Sequence, residues 1–289
     1  MKKMLLIGLL LGIIFTGCQK EESLIEGVYS YKVGQFEVYT LVERERDGNA
    51  EILIGLDEEI IGQYIPDEGF KHTANAFFVK ANGMNILIDT GTGTDGIIVE
   101  KLRKLGVEPE QIDIVLITHL HGDHFGGLVK DGEPNFPNAE VYVSVNDLEY
   151  FTVTNVNQAA IDSLALNNIV DFEPASSFDE VSGGFFPGIS PIAAYGHTPG
   201  HTIFLIEDEG EKLLIIADLL HVALIQFAIP EISAVFDVDP DHAASTRRQV
   251  LEYAAANNIP IGGMHIVYPG IGDVSESLGG FTFTPKQEL

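Results

Sequence analysis

Residues 119 to 124 read His-Leu-His-Gly-Asp-His, which sets three imidazoles and one carboxylate within six positions. They follow Ile112 to Ile117, a nearly all-apolar run of the kind expected for a strand buried on both faces. Burying imidazoles together without partners is costly, so any fold that accepts this segment must also satisfy it. In a strand-like start His119 and His121 point to the same side and can reach one metal ion. Asp123 and His124 follow on a turn and can reach a second. Zinc accepts this mix of nitrogen and oxygen ligands.

Further ligands stand where other strands are expected to end. His197 follows a run from Ala193 to Gly196, Asp218 follows Lys212 to Ala217, and His265 closes Ile259 to Met264. A single strand-end aspartate is more often a turn former, so the evidence lies in the combination. Four histidines remain. His72 and His242 sit in polar loop or helix-start contexts and read as surface. His201 reads as a hydrogen-bonded structural residue, and His221, three positions after Asp218, reads as a residue facing the substrate.

The pattern around these positions is strand-rich with interposed helices. Apolar and polar residues alternate from Gly27 to Glu43 and again over Glu51 to Leu56, as in antiparallel strands. Ala76 to Val79 and Asn85 to Asp89 form a hairpin about Asn82-Gly83. Asp95 to Leu105 has helical spacing and stops at Gly106. Glu140 to Val145 is a strand with Asn146 capping a short helix, while residues 150 to 190 carry little signal. Thr202 to Glu207 and Lys212 to Ala217 flank a Glu209-Gly210 turn. A helix from Pro240 to about Asn257 starts at an Asp239 N-cap, with Ala244, Leu251 and Ala255 on one face. Ile259 to His265 gives a last inner strand and Phe281 to Thr284 an edge. Two sheets covered by helices on both outer faces accommodate this order. With no repeat or low-complexity linker, residues 27–289 are expected to form one catalytic domain.

The amino terminus is different in kind. Lys2 and Lys3 precede an apolar run from Met4 to Phe15, then Thr16, Gly17 and the only cysteine, Cys18. That is a secretory signal, since the run is shorter than the roughly 20 apolar residues that span a bilayer. Phe15-Thr16-Gly17-Cys18 resembles a bacterial lipobox. It implies a signal peptide over residues 1–17, lipidation of Cys18, a tether over 18–26, and anchoring in the bacterial envelope, at the outer membrane or cell surface. A lone cysteine leaves no intramolecular disulfide. The full chain has a formal charge of -27, and removing residues 1–17 takes two of its 16 bases and none of its 43 acids. Nucleic acid is a poor partner for such a surface, which either favours neutral or cationic small molecules or is simply a solvated, soluble face.

The stretches His119-Leu120-His121-Gly122-Asp123-His124, Gly196-His197-Thr198-Pro199-Gly200-His201, Ala217-Asp218 and His265 are similar to the metallo-β-lactamase superfamily, over nearly all of the chain from Gly27 onward. The resemblance implies an α+β, four-layer αββα sandwich and two metal ions. His119, His121 and His197 would hold one ion, and Asp123, His124 and His265 the other. Asp218 would bridge them together with a hydroxide. Asp89, in Ile88-Asp89-Thr90-Gly91, matches a position whose carboxylate supports the histidine loop, with His201 as a second supporting residue.

True zinc β-lactamases in that superfamily use a later cysteine ligand, which is missing here, and di-iron oxygen reductases place a glutamate where His121 stands. Asp89-Thr90-Gly91-Thr92-Gly93, Ala217-Asp218-Leu219-Leu220-His221-Val222, Phe236-Asp237-Val238-Asp239 and Pro269-Gly270-Ile271-Gly272 resemble instead the methyl-parathion-hydrolase and lactonase-like branch. Acyl-homoserine lactonases usually have a tyrosine near the place of His221, which weakens the match to that group. The branch implies hydrolysis of lactones, neutral phosphotriesters or both. Asp123, Asp218 and His221 would act in catalysis, with Asp123 or His221 giving a proton to the leaving group. Phe227, Ile229 and Phe236 would line an apolar pocket, while Ile232 reads as core. Expected partners are a small neutral apolar ester, the membrane through the lipid, and a second copy in a homodimer as an open option. A thioesterase or glyoxalase-type hydrolase, an iron-dependent sulfur oxidoreductase and a non-catalytic zinc-binding lipoprotein stay as alternatives.

Overall fold

Side-chain alternation sets the layers. The computed structural model describes residues 25–181 and 188–287, so the expected signal peptide, Cys18 and most of the expected tether lie outside the described residues. The first sheet has seven strands. These are β1 (Val28–Val33), β2 (Phe36–Asp47), β3 (Lys71–Ala81), β4 (Met84–Ile88), β5 (Ile114–Leu116), and, beyond a small ribbon of β6 (Val129–Lys130) and β7 (Glu133–Pro134), β8 (Glu140–Ser144) and β9 (Asn168–Phe172). The second has six: β10 (Ile189–Ala193), β11 (Thr202–Asp208), β12 (Glu211–Ile215), β13 (Ile261–Gly262), β14 (Ile271–Ser277) and β15 (Gly280–Pro285). Successive residues of a strand face opposite sides. Phe77, Val79, Ile86, Ile88, Ile114 and Leu116 therefore meet Phe204, Ile206, Leu213 and Ile215 between the sheets.

Their neighbours form two outer cores. Ala76, Phe78, Leu87 and Val115 pack under α2 (Ile97–Lys104) and α5 (Gln158–Ala165) through Ile98, Leu102, Ala160 and Leu164. Ile203, Leu205, Leu214 and Ile216 pack under α7 (Pro240–Ala256) through Val250, Leu251 and Ala254. The result is the αββα sandwich. Each fully buried Leu, Ile, Val or Phe contributes about 1.5–3 kcal/mol, so three contiguous cores hold the layers in place.

Strand direction then gathers the loops. β4, β5, β8 and β9 pair in parallel, as do β12 and β13, so their C-terminal ends open on one edge of the sandwich. The Asn82-Gly83 turn has both residues at positive φ, 52° and 80°, as a tight hairpin between β3 and β4 requires.

Several expected boundaries differ. Over Glu51 to Leu56 there is a 3-10 turn (Ala50–Ile52) and one bridging residue, Leu53, paired with Ala234. Asn49 and Asp57 cap the backbone there, so α1 (Glu58–Tyr64) follows and the apolar side chains pack on Val222, Ile225 and Ile232 instead of extending a sheet. β10 stops at Ala193, β12 at Ile215, and β13 holds only two residues, because the segments beyond turn into the site. Ser144, not Asn146, is the N-cap of α4 (Val145–Glu149). The buried face of α7 is Ala243, Arg247, Val250, Leu251 and Ala254, with Ala244 and Ala255 at its margins.

Candidate metal centre

All seven ligand candidates meet at the edge where these strands end. His119 leaves the loop after β5, and His121 is the N-cap of the short helix α3 (Gly122–Phe125) that carries Asp123 and His124. His197 follows the turn at Gly196, whose φ of 123° and whose approach to the Ala243 backbone leave no room for a side chain. Asp218 follows β12, and His265 follows β13.

The side chains form two groups. His119 Nε2, His121 Nδ1 and His197 Nε2 make a triangle with edges of 3.0, 2.9 and 3.2 Å. Asp218 Oδ2 lies 3.8 Å from His119 and 3.5 Å from His197. The second group is Asp123, His124 and His265, with His124 Nε2 3.7 Å and His265 Nε2 3.9 Å from the two oxygens of Asp123. Asp218 touches this group as well, Oδ1 at 3.1 Å from His124 and Oδ2 at 3.1 Å from His265. It therefore stands between the two.

Three of the ligand rings are aimed by what their other nitrogen holds. His124 Nδ1 donates to Asp89 Oδ2 at 2.6 Å, and Asp89 also accepts from the Thr118 backbone and hydroxyl, both at 2.8 Å. His197 Nδ1 donates to Asp237 at 2.9 Å, and His265 Nδ1 to the Thr73 carbonyl at 2.7 Å. His201 Nε2 accepts from the Asp218 backbone N–H at 3.1 Å, so its Nδ1 is the donor to the Ala194 carbonyl at 2.8 Å. That arrangement fixes Asp218 from behind. Such outer partners set ring orientation and basicity in metal sites.

Protonation divides the groups. Burial holds His119 and His121 below the usual imidazole value and takes His197 down to about 3. At His124 and His265 burial acts the same way, but the carboxylates of Asp218, with Asp89 and Asp123 for His124, outweigh it and push both up. Burial opposes ionisation of Asp218 too, yet His124 and His265 hold it well below the carboxylate range. Burial likewise acts against Asp123, and His124 keeps it ionised.

The residues fit a pair of divalent ions. Three ring nitrogens pointing at one another cannot all be satisfied by mutual hydrogen bonds. Ligands of one zinc at about 2.0–2.1 Å in a tetrahedral arrangement sit about 3.3 Å apart, close to the observed edges. His124 Nε2 and Asp218 Oδ1 are buried and face each other, yet neither makes an aligned hydrogen bond. Ions there would satisfy them in place of protons.

A model of the metallo-beta-lactamase superfamily matches residues 70–258. The chain belongs to the metallo-beta-lactamase superfamily. A solved member, the hydrolase AbOPH of the beta lactamase superfamily, superposes with a TM-score of 0.80 at 26% identity, over 92% of this chain and 100% of that one. AidC, a dizinc quorum-quenching lactonase, reaches 0.76 at 23% identity over 91% and 98%, which speaks for the fold. Ribonuclease Z of Saccharolobus islandicus (strain L.S.2.15 / Lassen #1) is 44% identical over 59 residues, or 20% of this chain and 19% of that protein. The chain thus matches about a fifth of the length of that curated relative. The superfamily model ends before His265, which the fold brings in by the parallel pairing of β12 and β13.

Other expectations change. Phe227 does not line the site: it is buried in the outer core and stacks on Phe283, 5.1 Å between centroids. Ile229 and Ile232 pack on Leu53 and Val222, as a core reading of Ile232 anticipates. Phe236 is half exposed with its ring 5.8 Å from that of His221. His221 is buried 3.4 Å from Asp218, and neither of its ring nitrogens has a hydrogen-bond partner. His72 is not a surface residue. It is buried and stacked on His265 at 4.6 Å, because β3 runs past the end of β13. His242 is exposed at the start of α7.

Two carboxylates escape a reading of the sequence as supporting residues. Asp237 orients His197, and it stands only within a stretch of resemblance. Asp147, in α4, accepts from the backbone of Leu120 at 2.8 Å and Gly200 at 2.7 Å and so ties both ligand loops together. Burial raises its pKa to about 6. An aspartate early in a helix reads as a local cap, and no spacing marks it as a link between loops 80 residues apart.

Proposed function

We propose that the chain is a dinuclear metallohydrolase that cleaves ester-type bonds in small, neutral, apolar substrates, lactones first and neutral phosphotriesters second. The observation that carries the reading is the position of Asp218 between two ligand groups that together hold five imidazoles and two carboxylates. Their nitrogen and oxygen donors favour zinc. The name of AbOPH, a hydrolase, and that of AidC, a dizinc lactonase, support the choice of reaction and substrate. Bound there, divalent ions supply a water acidified to near neutrality and an electrophile for the substrate oxygen.

The remaining work falls to the chain. Asp123 stands in the second ligand group, where its oxygens would be taken up by the ion. That leaves His221, which lies beside Asp218 with unpartnered ring nitrogens. As the water oxygen bonds to the acyl carbon and the C–O bond breaks, His221 takes up the released proton and returns it to the departing alkoxide. Phe236 offers the apolar group an exposed ring next to that proton carrier.

Metal analysis of the purified protein combined with parallel assays of a lactone, a phosphotriester and a thioester tests this. Two ions per chain and chelator-sensitive lactone hydrolysis are expected. A metal-loaded protein inert on all three would refute it, and preference for the thioester would redirect it. We also propose, from the Lys2 to Cys18 segment, an envelope location with lipid on Cys18. Palmitate labelling that is lost in Cys18→Ser checks this, and labelling that persists in the variant rejects it.

A further inference from the structure

Arg247 lies on the buried face of α7, 1% exposed, and its guanidinium faces four acceptors. Nε donates to the carbonyl of Leu219 at 2.5 Å, and Nη1 to those of Pro230 at 2.7 Å and Ile232 at 2.9 Å. Nη2 faces Asp237 Oδ2 at 3.5 Å. Leu219 is the residue after Asp218, and the segment from Pro230 to Asp237 contains Phe236. Asp237 in turn accepts from His197 Nδ1 at 2.9 Å and from the Ala234 backbone at 2.8 Å. One cation thus reaches the chain beside Asp218, the segment beside His221, and the carboxylate behind His197.

We propose that Arg247 is the positioning residue of the His119, His121 and His197 group, acting through Asp237. This rests on the two-metal reading above. Asp237 is itself buried, and Arg247 is the cation that faces it among the described residues. Asp237 Oδ2 is held by the Arg247 guanidinium and the Ala234 N–H, which leaves Oδ1 aimed at His197. Without Arg247 the carboxylate is free to turn, and His197 Nε2 loses the aim that its Nδ1 partner gives it. The second group has its own support in Asp89 and should not feel the change. The planar fork matters, because a lysine cannot reach four acceptors in fixed directions.

A purely structural arginine would loosen α7 and weaken both groups alike. The test separates these. Chelated protein is titrated with Zn2+ for the wild type, Arg247→Lys, Arg247→Met, Asp237→Asn and Asp89→Asn, and the two dissociation constants are resolved by competition with an indicator. In parallel, the ring N–H signals of 15N-histidine-labelled protein are recorded, where a shifted or lost His197 Nδ1–H reports the relay without any assay of activity.

The expected result is one constant raised about 10- to 100-fold in the Arg247 and Asp237 variants, with the other unchanged, and the opposite constant raised in Asp89→Asn. The His197 signal should move while those of His124 and His201 stay. Equal weakening of both constants, an unmoved His197 signal, or an Asp237→Asn protein that binds as wild type would each overturn the proposal. Should Arg247→Met fail to fold, Arg247→Lys and Asp237→Asn decide between the same outcomes. A wild type that binds no ion would instead defeat the two-metal reading itself.

Discussion

The group of His119, His121 and His197 offers three ring nitrogens whose pKa burial pushes down, whereas that of Asp123, His124 and His265 mixes a carboxylate with two imidazoles whose pKa neighbouring carboxylates push up. The first is aimed from 40 residues away by Asp237, the second by Asp89, at the end of an adjacent parallel strand. Two sites within one cage are thereby given different charge and different support. The difference implies that their ions bind with different strength, respond differently to acid, and can be lost one at a time.

The largest break in that comparison is at the residue both groups share. Asp218→Ala should abolish paired metal binding and lower the proposed hydrolysis by more than the about 100-fold typical of losing an outer partner. Metal counts and turnover on a lactone check it, and two ions with full turnover would remove Asp218 from between the groups. Next in size, Asp89→Asn keeps the shape but takes one acceptor from His124 and Thr118, and should weaken the second ion alone by about 10- to 100-fold. Equilibrium dialysis at two zinc concentrations would show one ion retained where the wild type holds two.

Acid should then sharpen the contrast. Ligation needs a neutral imidazole, so protons compete wherever the free ring is charged. Neighbouring carboxylates push His124 and His265 above the ordinary imidazole value, so competition there begins at a higher pH than for a free imidazole and grows as pH falls. His197 stays neutral down to about 3, so the first group loses its ion only in much stronger acid. Metal retained after dialysis across pH 8 to 4 should fall in two separated steps. A single step would mean that the groups are equivalent.

Much of this centre is legible in the sequence because four of its seven ligands are local. His119, His121, Asp123 and His124 share one segment, and strand alternation is enough to give both sheets and their helical cover. His197, Asp218 and His265 each stand at an expected strand end, although the strands finish two to three residues earlier than the apolar runs, since Ala217 and Gly196 turn the backbone at positive φ. What supports the ligands is far less visible. Arg247 sits beside Arg248 in a helix and looks like part of a solvated face, yet Arg248 pairs with Glu231 at the surface while Arg247 is sealed inside. Only tertiary packing distinguishes them. His72 is hidden for the same reason, lying on a strand whose polar neighbours are exposed at Lys71 and buried at Thr73.

His72 also supplies the smallest effect and the most direct check on its own burial. Burial takes its pKa from 6.5 to about 3, with the nearby His265 acting in the same sense. In the unfolded chain the ring charges below about 6.5, while in the folded protein it stays neutral, so between those values the unfolded state binds more protons. Its contribution to stability is therefore complete above about pH 6.5 and is lost as pH falls toward 3. His72→Phe keeps a ring stacked on His265 but removes that proton uptake. In metal-free protein the wild type should lose stability relative to the variant on going from pH 7.5 to 5.5, by on the order of 1 kcal/mol. Urea unfolding of both proteins at the two pH values measures this, and a difference that stays constant, or grows in favour of the wild type, would return His72 to the exposed surface from which the sequence alone cannot separate it.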